Sequence, residues 1–401
     1  MRKKCWKIFL ALVLSAAMIL CAKVFAYAES IQESLAEQSI DAIPVKIAAK
    51  SAILMDSVTG KILVRYNENE RLYPASVTKI MPLLLIAEAL DAGKIKLSDQ
   101  VSASGAAASK GGSQIWLKEG ETMTVEELLK ATAIYSANDA CVALGELISG
   151  SEEGFVELMN QRAKALGMEN TNFVNATGLD DDTTKHLTTA NDIALMGREL
   201  LKHDSVIKYS GVWMDSLRGG ATELVNTNRL VRFYEGATGL KTGTTNKAGC
   251  CVAASAKRGE THLIAVVLGS GNSNDRFDTA KRLLDWGFAN YEIATPKISS
   301  NLITQVRVMR GSQQYIQPVP PESMPILVPK GSGDLQQSVE LPLEVQAPVK
   351  QGQVLGKVIV ALDGETLGIY ELTAPSDVIA LNFRSVFQRI LAALVGGGDL
   401  V

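Results

Sequence analysis

Two short β-rich runs open the patterned part of the chain, Ser51 to Asp56 and Lys61 to Tyr66, separated by the polar stretch Ser57-Val58-Thr59-Gly60. That spacing predicts a hairpin. An apolar helical run follows from Pro74 to about Leu90, with Pro82 inside it, where a missing N–H should kink the helix. Residues 98–123, rich in Ser, Gly and Ala around Gly111-Gly112-Ser113, read as an irregular excursion. Thr124-Val125-Glu126-Glu127 is a capping box, and Val125, Leu128, Leu129 and Thr132 carry its helix to about Tyr135. Further helices are predicted from Asp139 to Ile148, from Glu152 to Leu166 with Gly167 as the stop, and from the cap at Thr189 through Leu201. Gly239 to Thr245, Cys250 to Ala256 and Leu263 to Leu268 are β-rich, and Arg276 to Tyr291 closes with an amphipathic helix. Two strands, a helical middle, three strands and a last helix predict an α+β fold. Its centre is an antiparallel sheet of about five strands with helices on both faces.

The pattern changes at both ends. Arg2, Lys3, Lys4 and Lys7 precede an apolar run from Ile8 to Cys21, and Ala26-Tyr27-Ala28 supplies a small-x-small cleavage site. Residues 1–28 therefore read as a secretory signal peptide, and 29–45 as a polar linker. Residues 46–292 form the main domain. Nine of the twelve prolines lie beyond residue 295, among short β-rich runs (Thr304 to Met309, Val339 to Leu343, Val354 to Val360, Gly368 to Leu372). These predict a small all-β domain over 293–375. From Val378 to Val395, Ile379, Phe383, Val386, Phe387, Ile390, Leu391 and Leu394 fall on one helical face and Arg384, Ser385, Gln388 and Arg389 on the other. Residues 376–401 thus read as an amphipathic helix able to lie on a membrane surface, on the outer side if the leader directs export.

Composition narrows the partners. Removing residues 1–28 takes away five positive charges and no acid, so the formal net charge moves from −3 to −8. A nucleic-acid partner, which wants a basic stripe, is not expected. Cys141, Cys250 and Cys251 remain, an odd number with one vicinal pair, and read as small buried hydrophobes rather than a disulfide framework. His186, His203 and His262 show no metal-ligand spacing, so neither a metal nor another cofactor is expected.

Candidate chemistry sits in three segments. Ser76 and Lys79 are three apart and share a helix face, so the amine can serve as the base a serine hydroxyl needs. That requires the lysine to titrate well below its usual range, and a second cation, Lys241, would push it down. Ser136-Ala137-Asn138 falls at a helix junction: Ser136 can relay a proton and Asn138 offers both a donor and an acceptor to an amide. Lys241-Thr242-Gly243 lies on a strand beside a probable sheet edge, where an extended peptide can pair and Gly243 permits close approach. Ser-x-x-Lys recurs at Ser205–Lys208, and Ser-x-Asn at Ser270–Asn272 and Ser299–Asn301. Order and context therefore carry the signal.

Together the three segments form the set found in penicillin-binding proteins and class A β-lactamases. The chain resembles the low-molecular-mass penicillin-binding proteins, serine-type D-alanyl-D-alanine carboxypeptidases, over about residues 46–291. Tyr135 to Ala140, Asn175 to Asp180, Thr189 to Ala194, Gly239 to Gly243 and Asp275-Arg276-Phe277 extend the likeness. The resemblance implies a β-lactamase/transpeptidase-like domain in which Ser76 is acylated by a wall stem peptide ending in D-Ala-D-Ala, or by a β-lactam. It implies Lys79 as base and Ser136 and Asn138 as the second motif. Lys241 and Thr242 would bind the terminal carboxylate, with Arg276 as an extra partner, and the N–H groups of Ser76 and Thr244 would form the oxyanion hole. Thr244 stands where members often carry histidine. Two other readings share the motifs. A serine β-lactamase needs a deacylating glutamate, of which Glu157-Leu158-Met159-Asn160 is only a partial echo. A non-catalytic wall-binding or drug-sensing protein would keep the fold alone.

Overall fold

The computed structural model describes residues 45–180, 184–383 and 387. The chain divides into two units, Met1–Lys46 and Ile47–Val401. The leader, and all of the linker except residue 45, lie outside the described residues, and everything below concerns the second unit.

Its centre is the expected antiparallel sheet of five strands: β1 (Ser51–Asp56), β2 (Ile62–Tyr66), β3 (Ala237–Thr245), β4 (Gly249–Arg258) and β5 (Thr261–Ser270), in the spatial order β2-β1-β5-β4-β3. Strand side chains alternate between faces, so neighbouring Leu263 and Ile264 point opposite ways. A Cβ on Gly287, in the helix Ser273–Asn290, would meet Leu263, and one on Gly197, in the helix Ala190–Leu200, would meet Leu240 and Ile264. The two helices therefore cover opposite faces, which is why both faces of β4 and β5 are buried. β3 is an edge of the sheet, as its sequence suggested, yet Lys241, Thr242 and Gly243 are all buried.

Several local expectations are corrected. The nucleophile segment does not begin an α-helix: Ala75–Lys79 is a 3-10 turn, and the α-helix runs over Ile80–Asp91. Pro82 is thereby the third residue of that α-helix, in the first turn, where no N–H is required and no break follows. The helix opened by the Thr124 capping box ends at Lys130 and continues as a π-helical turn, Ala131–Tyr135, which closes on Ser136 in a left-handed conformation (φ 71°). The irregular excursion contains a strand, Gln100–Ser102, paired with Thr122–Thr124. Two features between Leu201 and Ala237 carried no clear signal, a helix at Asp204–Ser210 and a hairpin of Met214–Leu217 with Thr222–Val225.

Beyond Asn290 the described chain up to Thr373 is built of β-strands apart from one 3-10 turn, Ser300–Leu302. Short strands pair in three small sheets around two aliphatic clusters, one including Val306, Val308, Ile316 and Val349, the other Ile326, Val328, Val358, Val360 and Leu372. The terminal helix does not begin at Val378: that residue bridges Val349, and Ala380 bridges Gly311. Phe383 and Phe387 are helical, with stacked rings 6.2 Å apart. The rest of the expected helix lies outside the described residues. Among those residues no helix is long and apolar enough to cross a membrane.

Candidate active site

The first and third segments meet at the 3-10 turn. Lys79 Nζ donates to Ser76 Oγ at 3.0 Å and to the carbonyl of Thr177 at 3.0 Å. Ser76 is half-buried whereas Lys79 is fully buried, so the hydroxyl is reachable and the amine is shielded behind it. Burial is the main cause that lowers Lys79 from 10.5 to about 8, with the nearby Cys141 and Asp139 pulling the other way. The sequence expectation gave the second cation this part. In the fold, desolvation performs it, and repulsion between the two amines tells on Lys241 instead. Lys241 is held well below its usual range, first by burial and then by Lys79.

The third segment touches the first by backbone. A Cβ on Gly243 would lie 2.7 Å from Ser76 N and 2.9 Å from Pro74 O, so only glycine lets β3 lie against the nucleophile turn. Thr242 Oγ1 donates to Thr227 Oγ1 (2.6 Å), and Thr227 N donates to Ile134 O (3.2 Å), tying β3 to the turn that ends on Ser136. Lys241 Nζ reaches only the carbonyl of Thr242, at 3.3 Å. It is a buried amine with no carboxylate partner among the described residues, and its charged form is favoured there only when something anionic joins it.

The second segment closes the other side. Asn138 Nδ2 donates to Gly111 O at 2.6 Å, while Asn138 Oδ1 and Ser136 Oγ are buried without a hydrogen-bond partner among the described residues. Asn175 shapes the wall between: its Oδ1 accepts from the N–H groups of Thr177 and Gly178, and its Nδ2 donates to Leu179 O. Gly178 (φ 79°) presses so close to Ala75 O that any Cβ there would overlap it. Thr244 is exposed at the end of β3. Arg276 does not point freely at this opening: its Nη1 donates to Gly243 O and Thr244 Oγ1, both at 2.9 Å, and to Cys251 O at 3.2 Å. Cys141 and Cys251 are buried as expected, but Cys250 is only half-buried, with Sγ 4.0 Å from Thr244 Oγ1.

Two supports were not read from sequence. One is the Thr177 carbonyl on Lys79, because any residue type supplies a carbonyl. The other is His186, buried behind the turn. Val174 N–H donates to its Nδ1 at 3.1 Å, and its Nε2 lies 2.9 Å from Thr78 Oγ1, which itself donates to Ala75 O at 2.8 Å. Nδ1 accepts and the Thr78 proton is committed, so Nε2 carries the imidazole hydrogen. The chain of bonds ends on Ala75, a non-glycine residue at φ 50° immediately before Ser76. Such a conformation persists only where its surroundings hold it.

Glu157, the partial echo of a lactamase glutamate, is exposed on the helix Glu152–Ala165. Among the described residues Glu88, Glu199 and His203 lie close enough to share an ion, but Arg162 already pairs with both carboxylates.

Residues 36–272 match the family described as D-alanyl-D-alanine carboxypeptidase, and residues 294–380 match that described as penicillin-binding protein 5, C-terminal domain. The chain is similar to D-alanyl-D-alanine carboxypeptidase DacF of Bacillus subtilis, at 45% identity over 348 residues, 86% of this chain and 89% of that one. Penicillin-binding protein 5 of Haemophilus influenzae superposes with a TM-score of 0.75 at 33% identity, over 84% of this chain and 99% of that one. Penicillin-binding protein D2 of Listeria monocytogenes, solved with ampicillin bound, gives 0.56 at 30% identity, over 61% of this chain and 99% of that one.

Proposed function

The chain belongs to the D-alanyl-D-alanine carboxypeptidase family, and from that premise we propose that Ser76 is the residue acylated as the terminal D-alanine of a wall stem pentapeptide is released. The observation that carries this is the buried amine of Lys79, 3.0 Å from Ser76 Oγ and lowered to about 8. At pH 7 about one molecule in ten then holds a neutral lysine able to take the serine proton. Ser76 Oγ attacks the carbonyl of the penultimate D-alanine, and the N–H groups of Ser76 and Thr244 receive the developing negative oxygen. As the C–N bond breaks, Ser136 passes the proton from Lys79 to the leaving amine. Asn138 holds the peptide amide. The substrate's terminal carboxylate pairs with Lys241 and favours its charged form, with Thr242 beside it. Arg276 contributes by fixing Gly243 and Thr244 and by adding positive potential. Water then hydrolyses the ester.

A β-lactam, whose strained amide imitates the same bond, acylates Ser76 by the same steps. A lactamase reading is not favoured, since Glu157 is exposed on its helix and the relatives are carboxypeptidases. Nor is a non-catalytic reading, since every motif residue is present. The deciding experiment incubates the mature protein with a D-Ala-D-Ala pentapeptide and assays free D-alanine. Release is expected, and binding without release would overturn the reading.

Residues 1–28 direct export across the cytoplasmic membrane, and residues 376–401 attach the mature protein to its outer face. Support comes from the apolar stripe of the tail and from Phe383, which is 86% exposed and stacked on Phe387. Deleting residues 383–401, beyond the bridges that Val378 and Ala380 make to the β domain, should release the protein from membranes with peptidase activity retained. A truncated protein that stays in the membrane fraction excludes the tail as anchor.

A further inference from the structure

Next to the second motif stands a loop that the peptidase chemistry leaves unused. Trp116 is 75% exposed, and its φ is 60°, a conformation that costs a bulky residue free energy. Its neighbours are nevertheless fixed. The N–H groups of Ile115 and Leu117 donate to the carboxylate of buried Asp139, the residue after Asn138, with Leu117 N at 3.0 Å from Oδ2. Arg218 Nη1 donates to Ile115 O at 3.0 Å from the far side. The fold thus spends backbone strain and a buried carboxylate to hold an indole out in water, where it gains no packing.

Trp116 lines an open trough of about 910 Å³ with Lys118, Glu119, Glu121, Arg218 and Glu223. Three carboxylates face two cations there, and Arg218 Nε already pairs with Glu121 at 2.8 Å. That balance repels a polyanion. An aromatic face bordered by hydrogen-bonding side chains suits a neutral sugar ring, whose C–H face stacks on the indole while its hydroxyl and acetamido groups meet the polar rim. The trough is tied to the second motif through Ile115 in its wall, whose N–H donates to Asp139, the residue after Asn138.

We propose that this trough is a carbohydrate subsite for the N-acetylated amino-sugar chain to which a wall stem peptide is attached. It deepens the peptidase reading and rests on it.

The test compares D-alanine release from a free pentapeptide with release from the same pentapeptide on its wall disaccharide. Trp116→Ala should raise KM for the disaccharide-pentapeptide about tenfold with kcat unchanged, a difference of about 1.4 kcal/mol. Both constants for the free pentapeptide should stay near wild type, and Trp116→Tyr should recover most of the lost affinity. Equal changes with both substrates, or none with either, overturn the subsite. If the wild type released no D-alanine from the free pentapeptide, the peptidase reading would fall instead. Calorimetric titration with the peptide-free disaccharide then decides: binding lost in Trp116→Ala supports the subsite, and equal binding overturns it.

Discussion

The two parts of the described chain solve opposite problems. Among the described residues every buried polar or charged side chain lies between Ser51 and Thr279, Lys79, Asp139, Lys241 and Arg276 among them. Among the same described residues, the buried side chains beyond Asn290 are all apolar. The core of the β domain is apolar, each fully buried side chain contributing about 1.5–3 kcal/mol. The catalytic part gives up some of that stability to keep two amines desolvated and a strained Ala75 in place. The comparison teaches where function resides: in the region whose core breaks the rule of apolar burial.

Substitutions in the two parts should therefore separate rate from stability. The largest effect on rate belongs to Ser76→Ala, which should lower acylation by a fluorescent penicillin and D-alanine release by about 10³-fold or more, with the melting temperature nearly unchanged. Persistent covalent labelling would place the nucleophile elsewhere. His186→Ala should slow acylation about tenfold, because Thr78, which holds the Ala75 carbonyl, loses its own fixed partner. His186→Gln, which can still donate to Thr78, should recover part of that loss. An equal slowing in both variants would argue that only packing was disturbed. Leu372→Ala, in the β-domain core, should cost about 2–5 kcal/mol of stability in chemical denaturation and leave kcat where it was. A matching fall in kcat would show that the two parts do not separate as described.

This division also governs what could be read from the sequence. Ser76, Lys79, Ser136, Asn138 and Lys241 stand out in the sequence because the proposed chemistry needs particular side chains in a particular order, and the fold sets Lys79 on Ser76 and the Lys241 strand against the Ser76 turn. The five strands of the sheet were legible from their apolar runs. The strand Thr122–Thr124 is three residues long, too short for alternation to register. The π-helical turn leading to Ser136 reflects tertiary ties at Ile134, to Thr227, and at Asn138, to Ser113, rather than local propensity. His186 has no sequence neighbour that marks it, since its partners Thr78 and Val174 are assembled only by folding. The origin of the lowered Lys79 was misassigned because burial is a property of the fold, whereas a second lysine is visible in the string.

The central claim is that a neutral, buried Lys79 deprotonates Ser76, and the pH dependence of acylation by a β-lactam addresses it most directly. A lysine is the base only when uncharged, so the rate must rise with pH through its folded value and then level. The rate constant should climb about tenfold per pH unit below 7 and reach a plateau above an inflection near about 8. A profile that is flat from pH 6 to 9, or that keeps rising toward the value of an ordinary lysine near 10.4, would contradict the account.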